Sequence, residues 1–288
     1  MTWVNVIVQG VLLGGLYALY ATGLSLVFGV MRMVNLAHGD LSILAAFICL
    51  LVVGVVDVNP LLALVVVVPL VFLVGYLLQR FLLNFTLKGD DMRPLLATFG
   101  LSVIIQNGLL QGFSADSRGL DAGRIENASL ALGDKVAFGW FPLLILVVSV
   151  LVIVLLNAFL TRTQLGRAFR ATSDDQGAAR LMGIDNKHIY ALAMGIALAI
   201  VALAGVLMGI RTTFTPGIGP ARLVYAFEAV IMGGLGSSWG TLVGGIMLGV
   251  AQTVGFQLSP GWGIFVGHLV FVTVLAIRPS GLFAKTVS

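Results

Sequence analysis

Charge is scarce in this chain. Asp, Glu, Lys and Arg make up 10% of its 288 residues, against about 25% in soluble domains. Several stretches run 17 or more residues without a charge, enough to cross a ~30 Å hydrocarbon core as a helix. A soluble domain is excluded. A β-barrel is excluded too, since its strands would read as ~10-residue alternating segments. Cysteine is nearly absent: Cys49 stands alone in an apolar segment, so neither an intramolecular disulfide nor a cysteine metal cluster can form. Packing is its expected role. No basic residue precedes Arg32. Residues 3–29 therefore lack the basic start of a signal peptide and are too long for its core. They read as a retained first membrane helix. The net charge of +4 is spread singly through short loops, with no polybasic run or aromatic-basic platform for nucleic acid. No Gly-x-x-x-x-Gly-Lys-Ser/Thr phosphate loop is present, and no metal site is expected.

What remains is apolar: 59% of the residues are hydrophobic. The expected fold is all-α and polytopic, a single transmembrane domain over residues 1–288. Apolar segments cover about 3–29, 41–56, 60–79, 94–112, 141–160, 189–210, 223–236, 240–257 and 262–277. With the loop at 161–188 placed inside, the inner side collects Arg32, Arg80, Lys88, Arg93, Arg162, Arg167, Arg170, Arg180, Lys187, Arg278 and Lys285. The outer side holds Arg118, Arg124, Lys135, Arg211 and Arg222. Eleven against five favours this orientation, with the N-terminus outside and the C-terminus inside. The count is eight or nine crossings, because segment 223–236 is short and contains Glu228. Residues 113–140 are expected to form a small external loop, with alternation at Ile125, Leu130 and Leu132 suggesting a hairpin. Glycine pairs four apart (Gly10/Gly14, Gly205/Gly209, Gly240/Gly244, Gly245/Gly249) predict close helix crossings.

The polar loop 161–188 is the most informative interruption. Ser173 is placed to cap a helix, with Gln176 three positions on in the capping-box spacing. Asp174 and Asp175 suit the first turn, and Gly183 supplies a left-handed stop. The spacing predicts a short helix over Asp174–Met182. So short a helix is marginal in water and needs a docking surface, for which Ala178, Ala179, Leu181 and Met182 are the apolar positions. A surface-bound membrane helix would carry larger apolar residues and a more basic face, so a protein partner fits better than lipid alone.

Gly177-Ala178-Ala179-Arg180-Leu181-Met182-Gly183 resembles the Glu-Ala-Ala-x-x-x-Gly coupling motif of ABC importer permeases, with Gly177 in place of Glu. Arg32-Met33-Val34-Asn35-Leu36-Ala37-His38-Gly39-Asp40 resembles the signature of LivH-type branched-chain amino acid permeases. Residues 233–241 with Gly244-Gly245, and residues 94–102, are similar to further stretches of that family. The resemblance implies a non-enzymatic importer subunit in a bacterial inner membrane. Its implied partners are a second permease subunit, two ATPase subunits and a periplasmic or extracellular substrate-binding protein. No cofactor is implied for this chain; ATP and magnesium belong to the ATPases. Ser173, Asp174, Gln176, Ala178, Ala179, Leu181, Met182 and Gly183 become the implied ATPase-coupling residues.

Ionisable groups inside a membrane usually face the protein interior. Asn35, His38 and Asp40 stand between the first two segments, and two readings are open. They form a pathway or gate element with broken helix, tolerated only when buried or wetted, or they form an inner turn in which Asp40 caps the next helix. Thr98, Ser102 and Gln106 share one helical face by their four-residue spacing and are expected to line the interior; Gln106 and Asn107 suit hydrogen bonds between helices. Glu228 has two openings, an ion pair with Arg222 or Arg211, or a place in the pathway. His268 has no titratable neighbour in sequence and reads as packing. The expected function is ATP-driven import of branched-chain or related small amino acids, with urea, amides or small carboxylates as alternative cargo. A proton-coupled carrier using Asp40, His38 or Glu228 is the rival mechanism. An intramembrane enzyme is disfavoured, since His38 and Asp40 sit two residues apart with no nucleophile converging on them.

Overall fold

The computed structural model describes residues 3–87, 92–132 and 136–283. Lys88, Lys135 and Lys285, used in the charge count, lie outside the described residues. Long charge-free runs become α1 (Trp3–Met31), α2 (His38–Val56), α3 (Pro60–Leu78) and α4 (Met92–Phe113). A π-turn over Gln79–Leu83 and a last turn Asn84–Thr86 prolong α3. An antiparallel hairpin, β1 (Ser129–Leu132) with β2 (Val136–Gly139), occupies the expected loop. Then come α5 (Trp140–Arg162), two loop helices α6 (Gln164–Asp174) and α7 (Gln176–Leu181), and α8 (Asn186–Arg211). The chain closes with α9 (Gly219–Gly233), α10 (Ser238–Leu258) and α11 (Trp262–Ile277). Apart from the hairpin the described structure is helical, as an interior without water demands.

Among the described residues, seven helices are long and apolar enough to cross a membrane alone: α1 to α5, α8 and α10. The shorter α11 has 16 residues and α9 has 15. At 1.5 Å per residue α9 is about 22 Å long, short of a ~30 Å core. It begins inside the bundle, where a Cβ on Gly219 would stand 2.1 Å from the Asp40 carboxylate. It ends at the turn whose Gly236 lies beside Gly29, at the far end of α1. The short segment is therefore a partial crossing joined by a tight glycine turn to α10.

α1 and α8 form the axis of the bundle: 83% and 78% of their apolar windows are buried, against 17% for α4 and 22% for α3 and α5. Apolarity does not decide this: α3 and α5 have the higher mean hydropathy, 3.0 and 3.2 against 1.8 and 2.6 for α1 and α8. An all-apolar face can be covered by lipid, while small residues let other helices close around α1 and α8. α1 crosses α10 at the expected small-residue pairs. A Cβ on Gly14 would meet Ile246 Cα at 2.4 Å, and one on Gly249 would meet the Gly10 carbonyl at 2.3 Å. The two backbones touch there, and dispersion contact replaces the missing side chains. Cys49 is fully buried, as expected of a packing residue.

Residues 32–37 do not make a surface turn. After Met31 the chain turns at Arg32 (φ 53°) and runs back along α1, so that His38 reaches the carbonyl of Tyr20. Eleven residues of helix separate Tyr20 from Met31, or ~16 Å. α2 therefore starts inside the bundle. α4 lies on the periphery and packs mainly against α2 and the 3₁₀ turn Pro216–Ile218.

Candidate functional site

Three polar constellations stand out in this apolar frame. The first is the pair of loop helices. Thr163 caps α6, accepting from the Gly166 N–H at 3.0 Å. Phe169 buries its ring edge-on to Phe159, anchoring α6 to the end of α5. Ser173 is not the cap of the next helix: it ends α6 and donates to the Gly29 carbonyl of α1 at 2.6 Å. The cap of α7 is Asp175, extended at φ −148°, whose carboxylate accepts from Gly177 and Ala178 at 2.7 and 3.0 Å. The predicted single helix over Asp174–Met182 is thus shorter and later, because an aspartate two residues further on takes the cap in place of the serine. Its end is as expected. Gly183 is left-handed (φ 83°), and the N–H groups of Gly183 and Ile184 return to the carbonyls of Arg180 and Ala179.

α7 presents Leu181 and Met182 outward, 90% and 83% exposed, beside exposed Ala178, Gln176 and Asp174. Ala179 faces inward and is 3% exposed, so it supports the helix and does not belong to its outer face. On the far side Asn186 donates to the Gln176 carbonyl at 2.8 Å. Asp185 caps α8 through Lys187 and His188 and pairs with Arg80 at 3.2 Å. Slight burial pushes the Asp185 carboxyl up, but the Arg80 hydrogen bond, the two backbone donors and the Arg80 charge outweigh it, and its pKa is lowered. The loop helices are fastened at both ends to the axial pair, α1 through Ser173 and α8 through Asn186.

The second constellation gathers six of the seven predicted interior residues. Asn35 is fully buried; its Oδ1 accepts from the Ala37 N–H at 3.0 Å and shapes the turn into α2. Thr98 on α4 accepts from the Leu36 N–H at 3.2 Å. His38 is fully buried, and because a carbonyl only accepts, the ring nitrogen Nε2 that meets Tyr20 at 3.0 Å carries the hydrogen. Its Nδ1 has no partner among the described residues. Asp40, 1% exposed, accepts from Ser102 at 2.6 Å through Oδ2, and Gln106 donates to Ser102 at 3.0 Å. Asp40 Oδ1 has no partner among the described residues. Asp40 lies in the first turn of α2 and against the first turn of α9, where both helix dipoles favour negative charge. The reading of an inner turn with Asp40 as cap does not hold, since Ala37 occupies the cap position without a side-chain bond. Gln106 and Asn107 donate within their own helix, to Ser102 and the Val103 carbonyl, and Gln106 thereby joins the chain of donors that ends on Asp40.

Glu228 stands apart, ~13 Å further along α9. It pairs with neither Arg222 nor Arg211. Its partner is His268 of α11, which meets its Oε1, while Oε2 has none among the described residues. Tyr225 stacks on His268 (6.4 Å) and tilts against Tyr17 (5.1 Å), whose hydroxyl donates to Gln252 at 2.6 Å. This third cluster was missed in the sequence because its members lie on four different helices. The visible signal was polar residues, Tyr17 and Gln252, on otherwise apolar faces.

A family model described as branched-chain amino acid transport system / permease component matches residues 6–275. The high-affinity branched-chain amino acid transport system permease protein BraD of Pseudomonas aeruginosa is 31% identical over 295 residues, 97% of this chain and 95% of that protein. The corresponding LivH protein of Escherichia coli K12 is 28% identical, over 96% of this chain and 94% of its own. LivM of the same organism, also a high-affinity branched-chain amino acid transport system permease protein, is 30% identical over 158 residues, 53% of this chain and 36% of its own length.

Proposed function

This chain belongs to the family of branched-chain amino acid transport permease components, and from that premise we propose that it is one permease subunit of an ATP-binding cassette importer. It would move branched-chain or related small amino acids across the cytoplasmic membrane, with the 161–188 loop on the cytoplasmic side. ATPase subunits in trans supply the energy, a second permease completes the pathway, and a binding protein delivers the solute. The similarity of half the chain to LivM supports a second, related permease as partner.

One observation carries the reading. α7 offers a leucine and a methionine almost wholly to solvent on a loop fastened to both axial helices. Two adjacent large apolar side chains exposed together on a polar loop outside the membrane-spanning helices suit a partner surface. A push on α7 reaches α1 through Ser173 and α8 through Asn186, and α1 and α8 flank the buried layer of Asn35, His38 and Asp40. That layer, with Thr98, Ser102 and Gln106, is the proposed gate.

Reconstitution tests the assignment. Wild-type permease with its partners is expected to take up leucine into vesicles only with ATP. Leu181→Glu with Met182→Glu is expected to lose ATPase co-purification and uptake while still inserting in the membrane. Unchanged co-purification would remove α7 as the docking element. Uptake that survives without ATP and collapses with the proton gradient would replace the importer by a proton-coupled carrier. Uptake of urea, amides or carboxylates with exclusion of leucine would change the cargo and keep the mechanism.

A further inference from the structure

A cavity of about 400 Å³ lies where α1 ends, the re-entrant segment begins, and the start of α4 meets the loop helices. Its size is that of a small-molecule site. Its walls are of two kinds. Val30, Val34, Leu87, Pro94 and Leu95 supply an apolar side. Arg32 and Asp174 bring one charge of each sign to the same space, and neither is in an ion pair among the described residues. Tyr190 lines the cavity as well. Its residue is 5% exposed, and among the described residues its buried hydroxyl has no hydrogen-bond partner, a condition native interiors avoid.

We propose that this cavity is a binding site for a small zwitterionic solute with an aliphatic side chain, entered from the side of the loop helices. The Arg32 guanidinium and the Tyr190 hydroxyl suit a carboxylate, Asp174 suits an ammonium, and the apolar wall suits the hydrocarbon. A solute with one charge alone leaves the other protein charge unanswered. The inference rests on the proposed reading in one respect: if the transported cargo is an aliphatic amino acid, this site meets it after release. Occupation bridges segment 32–34 and residues 173–176. It therefore holds the loop helices against the gate segment in one pose, and accumulated product slows the cycle.

The test uses the whole transporter in detergent without its binding protein, with radiolabelled L-leucine as probe. Saturable binding is expected, with isoamylamine and 4-methylpentanoate competing at least tenfold more weakly than unlabelled leucine. Tyr190→Phe and Arg32→Gln are each expected to weaken binding roughly tenfold or more, the loss of one hydrogen bond to a charged group. In vesicles, leucine preloaded on the loop-helix side is expected to inhibit wild-type uptake, and Tyr190→Phe to lose that inhibition relative to its own uptake into empty vesicles. Absence of saturable binding, equal competition by amine or acid, or binding indifferent to both substitutions overturns the site. The transport reading fails separately: if wild type shows no ATP-driven uptake of aliphatic amino acids, yet leucine binding still depends on Tyr190, the cavity stands and the cargo assignment falls.

Discussion

Replacing Ser102 by alanine removes the hydrogen bond that reaches the buried Asp40 carboxylate. Asp40 is 1% exposed, Oδ2 accepts from Ser102 at 2.6 Å, and Oδ1 has no hydrogen-bond partner among the described residues. A hydrogen bond to a charged group contributes about 1.5–3 kcal/mol, a neutral one about 0.5–1.5 kcal/mol. With one oxygen already orphaned, Ser102→Ala is expected toward the upper end of the first range. In an Asp40→Asn background the same change is expected to cost only about 1 kcal/mol. The double-mutant cycle should thus show a coupling of about 1–2 kcal/mol. Gln106, released from Ser102, is the nearest replacement donor, so Gln106→Leu added to Ser102→Ala should deepen the loss. Denaturation by sodium dodecyl sulfate, followed through the four tryptophans, measures the energies, and uptake measures the consequence. α4 is thinly packed, so loosening this tie should lower transport more than membrane insertion. Strict additivity, within about 0.5 kcal/mol, would refute the claim that the Ser102 hydroxyl is what sustains Asp40.

His268→Ala removes the partner of the buried Glu228 Oε1, and because the His268 side chain is itself 41% exposed a loss of about 1–3 kcal/mol is expected. Glu228→Gln in the same chain should restore most of it, read in the same denaturation. Gly249→Val drives a side chain into the Gly10 carbonyl and the Gly14 backbone, 2.3–2.8 Å from its Cβ position. The α1–α10 crossing should open, seen as reduced yield of folded protein and a destabilisation above the ~1–3 kcal/mol of ordinary overpacking. Asp185 titrates below the usual carboxylate range. Its contribution is present above the unfolded value near ~3.9 and lost as pH falls through the folded value. The pair with Arg80 is largely exposed, so the effect should be small, and Asp185→Asn should flatten the acid limb of the stability profile.

Composition alone decided that this chain is a helical membrane protein, because long uncharged runs have few other solutions in lipid. Segment positions followed from the same runs, and Gly183 marked the end of α7 because its left-handed geometry is cheap only for glycine. The spacing of Thr98, Ser102 and Gln106 marked the face of α4 that meets α2. Local rules failed where competitors were adjacent: Asp175 took the cap that Ser173 was expected to hold, and Ser173 found Gly29, 144 residues away. Ala179 was indistinguishable from Ala178 until the packing of α7 turned one inward. Only the tertiary structure returned residues 32–37 into the bundle, set Asp40 between two helix starts, and joined Glu228 to His268. Those outcomes depend on which backbones approach at glycine contacts, a property of helix pairs far apart in the chain that no single segment encodes.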